Sequence, residues 1–387
     1  MPRAAIIGAG PIGLEAGLAA GEHGFDVRVY ERAPTVGGHV RRWGHVSLFT
    51  PWDMNVSPRM AVALGDCAPT GAHLPTGAQL VDELLEPVAQ TQSLLGRVQT
   101  STTVVHVARE GLLKNEEVAS PERARRPFRL LVAGPDGEQR LEQADIVIDA
   151  TGTYGNPNRL GGGGIDAVNE RAFEARITRF LVPARQFAGT RVLLTGSGHS
   201  AQTAARDLAE IAATAPGTRV LWSLRHQPDG FGSLPGDPLP ERAALNQTAQ
   251  RLAAGASSAV TVLAGGAIDA LHAGPGDRIR VTFSNADAPR VDVDHVLALN
   301  GGQPDASLYR QLQVHECYAS LGPMNLAAAL AGVAGGDCLA QAPHGPGSLR
   351  NPEPGFFILG AKSYGRNSNF LLRIGWQQVD DVFGALT

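Results

Sequence analysis

Two glycine-rich segments of this chain are spaced to receive a phosphate. Near the amino terminus, Gly8-Ala9-Gly10-Pro11-Ile12-Gly13 follows the apolar run Ala4-Ala5-Ile6-Ile7 and opens an alanine-rich helical stretch to about Glu22. A second strand pattern, Val27-Arg28-Val29-Tyr30, ends at Glu31. In a strand–turn–helix setting the first glycine permits a tight turn, and the second lets a pyrophosphate approach the backbone. The third lets helix and strand pack closely. The helix N-terminus adds N–H donors and the positive end of a dipole, and Glu31 is placed to accept hydrogen bonds from ribose hydroxyls. The pattern recurs at Gly196-Ser197-Gly198-His199-Ser200-Ala201, between a strand at Arg191–Thr195 and a helix to about Ala213. The strand that follows, Arg219–Leu224, ends in Arg225-His226 rather than in a carboxylate. A guanidinium clamps a 2′-phosphate through paired hydrogen bonds, whereas a carboxylate favours a free 2′-hydroxyl. The second turn is therefore expected to prefer NADPH over NADH, with Arg225 as the discriminating residue.

Both turns need supporting elements, and the sequence repeats these too. After the first, a hairpin pattern at Phe128–Ala133 leads through Gly-Pro-Asp-Gly to the buried-strand run Asp145-Ile-Val-Ile-Asp-Ala-Thr-Gly152. After the second, Ile279–Ser284 leads through Asn-Ala-Asp-Ala to Asp294-His-Val-Leu-Ala-Leu-Asn-Gly301. Such alternation of strand, helix and strand is the pattern of an α/β fold. The first unit is about 39 residues longer between its first and closing glycines, an insertion expected in the irregular stretch from about Val36 to Thr76. Residues 116–127 read as a charged surface loop.

Composition narrows the function. A length of 387 residues favours two domains over one. The net charge of −4 argues against general nucleic-acid binding, which relies on clustered cations. Of 33 basic residues only Lys114 and Lys362 are lysine. Cys67, Cys317 and Cys338 form no CxxC pair, which argues against a thiol–disulfide relay and a cysteine-based zinc site. The histidines show no metal-ligand spacing, so no metal is expected. Gly198-His199-Ser200-Ala201-Gln202 lacks the closing glycine of a nucleophile elbow. No apolar run approaches 18 residues, so a membrane partner is not expected and a cytoplasmic location is.

Two such units, the first at the amino terminus and the second starting near mid-chain, resemble the flavoproteins with two dinucleotide-binding domains. That superfamily includes pyridine-nucleotide disulfide reductases, thioredoxin reductases and flavin-containing monooxygenases. The likeness rests on Gly8, Gly10 and Gly13 with Glu31, on the pair Gly37-Gly38, on Ala150-Thr151-Gly152, and on Gly196, Gly198 and Ala201. It implies two Rossmann-like domains, FAD on the first and NADPH on the second, with the FAD domain made discontinuous by a returning tail. The expected boundaries are 1–155 with 300–387 for FAD and 156–299 for NADPH. Gly38, Ala150, Thr151, Gly152 and Gly360, at the end of Gly355-Phe-Phe-Ile-Leu-Gly360, are then FAD contacts. His199 and Ser200 join Gly196, Gly198, Ala201 and Arg225 at NADPH. Ala361 stands where many relatives carry Asp, so the ribityl contact is expected from backbone N–H groups or another side chain. The amphipathic pattern at Phe370–Val379 implies a helix whose N-terminus would face the flavin pyrimidine.

Hydride transfer from nicotinamide to flavin is the implied first half-reaction, with the cofactors carrying the chemistry. The missing cysteine pair argues against disulfide reduction. One monooxygenase subgroup carries a histidine-containing motif just before its second glycine turn, and residues 156–190 contain no histidine. The favoured activity is an FAD-containing, NADPH-dependent monooxygenase that takes a small organic substrate and molecular oxygen through a flavin C4a-hydroperoxide. Such chemistry needs retained NADP⁺ and a dry flavin face. The alternatives are an NADPH-dependent reductase of a quinone or small electrophile, and a redox-sensing flavoprotein with a protein partner. The insertion is expected to cover the flavin, with Trp43 or Trp52 packed near it and His45 and Asp53 managing protons. The polar run Lys362–Asn369 reads as a solvated connector, or as a second set of groups meeting flavin or substrate.

Overall fold

The run Ala4-Ala5-Ile6-Ile7 is buried on both faces and forms β1 (Arg3–Ile7), the central strand of a five-stranded parallel sheet. Beside it lie β2 (Asp26–Tyr30) and β7 (Ile146–Asp149), with β3 (Val98–Gln99) and β16 (Phe356–Ile358) at the edges. The computed structural model describes residues 1–226, 230–285, 290–331, 339 and 343–386; Cys338 and the turn at 286–288 lie outside them.

Alternation of side chains along β1 decides what covers each face. Ala4 and Ile6 join a core with α1 (Pro11–Glu22) and the helix Leu372–Gly384, through Leu14, Leu18, Val379 and Phe383. Ala5 and Ile7 face the other way, onto an antiparallel meander of β4 (Thr103–Arg109), β5 (Phe128–Ala133) and β6 (Gln139–Ala144). Two layers around one sheet are thus dictated by the apolar strand pattern.

A second sheet repeats the plan. Its strands are β8 (Ile177–Thr178), β9 (Arg191–Thr195), β10 (Arg219–Leu224), β11 (Val260–Ala264) and β15 (His295–Ala298), in the order β11-β10-β9-β15-β8. A meander of β12 (Ile268–Ala273), β13 (Ile279–Phe283) and β14 (Val291–Val293) accompanies it. The first sheet, written β3-β2-β1-β7-β16, has the same order position by position. Only the origin of the last strand differs: β8 comes just before its glycine turn, whereas β16 comes from the carboxyl-terminal tail. The chain accordingly forms two compact units, residues 1–156 with 303–387, and 157–302.

The insertion falls between β2 and β3, but it is packed rather than irregular. It contains α2 (Gly38–Arg42) and α3 (Pro58–Leu64), the latter capped by Ser57 Oγ, which accepts the Met60 N–H at 2.9 Å. Trp52 and Met60 within the insertion enter the core of α1, as do Val81, Leu84 and Leu85 just beyond it. Ser57 also donates to the buried Glu15 carboxylate at 2.5 Å, and Arg59 ties Glu15, Glu22 and Asp380 together. The 116–127 segment is exposed along most of its length, as a surface loop is, with one exception. Arg123 is buried and, with Arg109, converges on the buried Glu353: Arg109 Nε donates to Oε1 at 2.7 Å and Arg123 Nε to Oε2 at 2.9 Å.

Candidate functional site

The first glycine turn lies at the carboxyl ends of β1 and β7, where open parallel sheets bind ligands. Gly8 has φ +102°, and a Cβ there would stand 2.8 Å from the Ala150 carbonyl oxygen. A Cβ on Gly13 would stand 1.8 Å from the Gly8 carbonyl oxygen, so the third glycine is needed for α1 to meet the turn. At Gly10 a Cβ would meet nothing within 4 Å. Gly10 is the extended N-cap of α1, has no side-chain cap, and is followed by Pro11, which has no N–H to satisfy. The result is an open niche beside uncapped helix N–H groups, suited to an anion.

Glu31 closes one side. Its carboxylate accepts the Ala9 N–H at 2.8 Å and the Ala33 N–H at 2.9 Å, which fixes its orientation and leaves lone pairs for a further donor. Gly37 N–H donates to the Ala9 carbonyl, tying α2 to the turn. A Cβ on Gly38 would stand 2.3 Å from Ala33 Cβ, beside the Glu31 carboxylate. The next residue is His39, whose Nε2 accepts from Arg32 at 2.8 Å and whose ring stacks on Tyr154. Burial, with the Arg32 and Arg42 guanidinium groups, lowers the His39 pKa to about 4, so the ring is neutral at pH 7.

The insertion residues divide. Trp43 is half-buried against Gly77, and its indole N–H has no hydrogen-bond partner. Trp52 is a core residue, 3% exposed. His45 and Asp53, the residues expected to manage protons, both have exposed side chains. The Asp53 carboxylate accepts the Gly71 N–H at 2.5 Å and so acts as a loop staple.

A buried cluster stands at the carboxyl end of β7. Asp149 is fully buried and Lys362 is 1% exposed; Lys362 Nζ donates to Asp149 Oδ2 at 2.6 Å and to Thr151 Oγ1 at 3.1 Å. Thr151 in turn donates its hydroxyl and its N–H to Asp149 Oδ1, at 2.7 and 3.1 Å. Ala150, Thr151 and Gly152 are half-buried beside the first turn. Gly360 is buried, and its N–H donates to Gln378 Oε1 at 2.9 Å. Lys362 is no part of a solvated connector. The scarcity of lysine in an arginine-rich chain was the one sequence signal that set this residue apart.

In the second unit the same geometry recurs at the carboxyl ends of β9 and β15. Gly196 has φ +108°, and a Cβ there would stand 2.2 Å from the Leu299 carbonyl oxygen. Gly198 again faces open space and is the uncapped N-cap of the helix His199–Thr214. Ala201 is fully buried, doing the packing work of the third glycine, while His199 and Ser200 are exposed. Trp222 Nε1 donates to the Gly196 carbonyl at 2.8 Å, and Gln202 Nε2 bonds both Ser197 O and Phe231 O. Arg225 is exposed at the end of β10. Cys67 is exposed and Cys317 partly exposed, and neither forms a disulfide. Among the described residues no group of His, Cys, Asp or Glu is arranged to hold a metal, and no helix is long and apolar enough to cross a membrane.

Each unit is thus Rossmann-like, a parallel sheet with a glycine-rich turn at the ends of its central strands, a fold shared with two-domain FAD/NAD(P)-binding oxidoreductases. Comparison with known proteins agrees. Residues 6–60 match the family of NAD(P)-binding Rossmann-like domains. A ferredoxin–NADP reductase of Lactococcus lactis subsp. cremoris is 28% identical over 196 residues, 51% of this chain and 48% of that protein. The match thus spans about half the length of the curated relatives. The bacillithiol disulfide reductase Bdr of Bacillus cereus superposes with TM-score 0.72 at 18% identity, covering 100% of this chain and 98% of that one. The FAD-bound cadaverine monooxygenase DfoA of Erwinia amylovora gives 0.64 at 13% identity, over 100% and 94%. At such identities the structural likeness is one of fold.

Proposed function

We propose that this chain is an FAD-containing, NADPH-dependent oxidoreductase, with FAD at the turn of residues 8–13 and NADPH at that of residues 196–201. The carrying observation is the duplicated niche: open space at Gly10 and Gly198, flanked by backbone too close for any side chain at Gly8, Gly13 and Gly196. Only a group that approaches backbone N–H groups directly, as a pyrophosphate does, exploits such a niche. Bound there, FAD would supply two-electron chemistry between a nicotinamide and an acceptor.

The chain's own part is to bind and orient. The uncapped N–H groups of α1 and of the helix His199–Thr214 would meet the two pyrophosphates, and the Glu31 carboxylate would accept from ribose hydroxyls. Arg225, exposed at a strand end with no carboxylate beside it in sequence, would clamp the 2′-phosphate of NADPH. Arg225→Ala is therefore expected to cut the NADPH-over-NADH ratio of kcat/KM by roughly 10- to 100-fold, the value of a charge-assisted pair of about 1.5–3 kcal/mol. An unchanged ratio removes this role.

For the second half-reaction we carry forward a monooxygenase acting on a small organic substrate with molecular oxygen. Structural relatives described as monooxygenases and the missing CxxC pair support it. Reduction of a quinone or small electrophile is the second reading, favoured by the reductases among the relatives. Purified protein is expected to be yellow and to oxidise NADPH faster when substrate is added. Matching oxygen uptake then selects the monooxygenase, and equal stimulation without oxygen selects the reductase. Folded protein that stays colourless and takes up no FAD overturns the proposal.

A further inference from the structure

The chain has two lysines, and one of them is wholly buried. Burying an ammonium group is costly unless it is paired and fully hydrogen-bonded. Lys362 meets that demand with three partners: Asp149, Thr151 and the face of the Tyr309 ring, 5.0 Å away. Its position is specific as well. In the first sheet Ile7, Asp149 and Ile358 lie in register across β1, β7 and β16, so the three strands release Gly8, Ala150 and Leu359 at one edge. Lys362 stands behind that edge. A Cβ on Gly8 would lie 3.3 Å from Thr151 Cα, which puts Thr151 alongside the first glycine turn.

The hydrogen bonds around Thr151 decide what its hydroxyl offers. A hydroxyl has one proton and two lone pairs. The Thr151 proton goes to Asp149 Oδ1, and one lone pair accepts from Lys362 Nζ, which donates only. What is left is a single lone pair on a half-buried oxygen, an acceptor with no proton to give. Such an oxygen rejects a phosphate oxygen or a carbonyl and accepts from a hydroxyl. In the neighbouring segment the Gly360 N–H is engaged by Gln378, the Gly360 carbonyl accepts from Ser363, and residue 361 is alanine.

We propose that Lys362 is a positioning residue for FAD, an inference that rests on the reading above: with Asp149 it locks the Thr151 hydroxyl as an acceptor for a sugar hydroxyl of the cofactor. Without Lys362 the Thr151 rotor is released, and Asp149 is left buried without its cation.

The test uses full-length protein stripped of flavin and titrated with FAD, read by quenching of flavin fluorescence. Thr151→Val is expected to weaken FAD binding roughly 10-fold, and Thr151→Ser to restore it to within about 3-fold. Lys362→Met is expected to lose about as much as Thr151→Val, and the double variant no more than the worse single one, because both changes remove one contact. An FAD analogue lacking both hydroxyls of its adenosine ribose assigns the sugar. Wild type and Thr151→Val bind it equally if the ribose is the partner, and keep their gap if the ribityl chain is. Should Lys362→Met fail to fold, Lys362→Arg takes its place; its planar fork is expected to keep Asp149 but lose Thr151 and the affinity. Wild-type-like FAD binding by Thr151→Val, or losses that multiply in full in the double variant, overturns the proposal. Failure of the wild type to take up FAD overturns the assignment of the cofactor instead.

Discussion

Gly13→Ala is expected to abolish both FAD retention and the stability of the first unit, whereas Gly10→Ala is expected to abolish retention alone. The difference lies in what a single methyl group meets. At residue 13 it would stand 1.8 Å from the Gly8 carbonyl oxygen and 2.9 Å from the Gly8 carbonyl carbon. Both are backbone atoms, and Gly8 is itself pinned by its N–H to the Tyr30 carbonyl at 2.7 Å and by close approach to Ala150. No side chain can swing aside, so α1 must move off the sheet, at a cost of about 3 kcal/mol or more. At residue 10 the methyl meets nothing within 4 Å, and the backbone conformation, φ −82°, suits alanine. The methyl there fills the niche a pyrophosphate needs. Thermal melting and FAD titration of the two variants check this; equal melting temperatures for both would contradict the geometry.

Glu353→Gln is expected to destabilise the first unit by about 3–5 kcal/mol, because it leaves two buried guanidinium groups without a counter-charge. Arg109 and Arg123 are each about 1% exposed at the side chain and Glu353 is fully buried. Burial pulls the Arg109 pKa below its ordinary value, and Glu353 opposes that pull. The carboxylate also accepts the Gln313 N–H at 2.8 Å, so one side chain gathers three segments far apart in sequence. For a unit of this size the loss corresponds to a fall in melting temperature of roughly 10 °C. Replacing all three together, as Arg109→Met, Arg123→Leu and Glu353→Leu, is expected to recover much of it, since an apolar trio leaves no charge unpaired. Calorimetry decides, and a Glu353→Gln midpoint within about 2 °C of wild type would contradict the expectation.

The glycine turns were legible because their demands are local. A positive φ at Gly8 and Gly196, and backbone in contact at Gly13, are met by glycine and by no other residue, so the requirement is written in the residue itself. The strands were legible for a related reason: a parallel strand covered on both faces must be apolar throughout, as Ala4–Ile7 and Ile146–Ile148 are. Charged residues carry no such signature. Two tryptophans, two histidines and an aspartate in the insertion looked alike as candidates. Only packing separated Trp52, which fills the core, from Asp53, which staples an exposed loop.

What the amino-acid order determined on its own, then, is the doubled strand–turn–helix plan, with a glycine-rich turn in each copy. Tertiary structure alone decided that Lys362 meets Asp149 across 213 positions and that Arg109 meets Glu353 across 244. No spacing rule reaches that far. An ion pair forms wherever the fold happens to exclude water around two opposite charges, and that place exists only after the sheets, helices and tail have closed on one another.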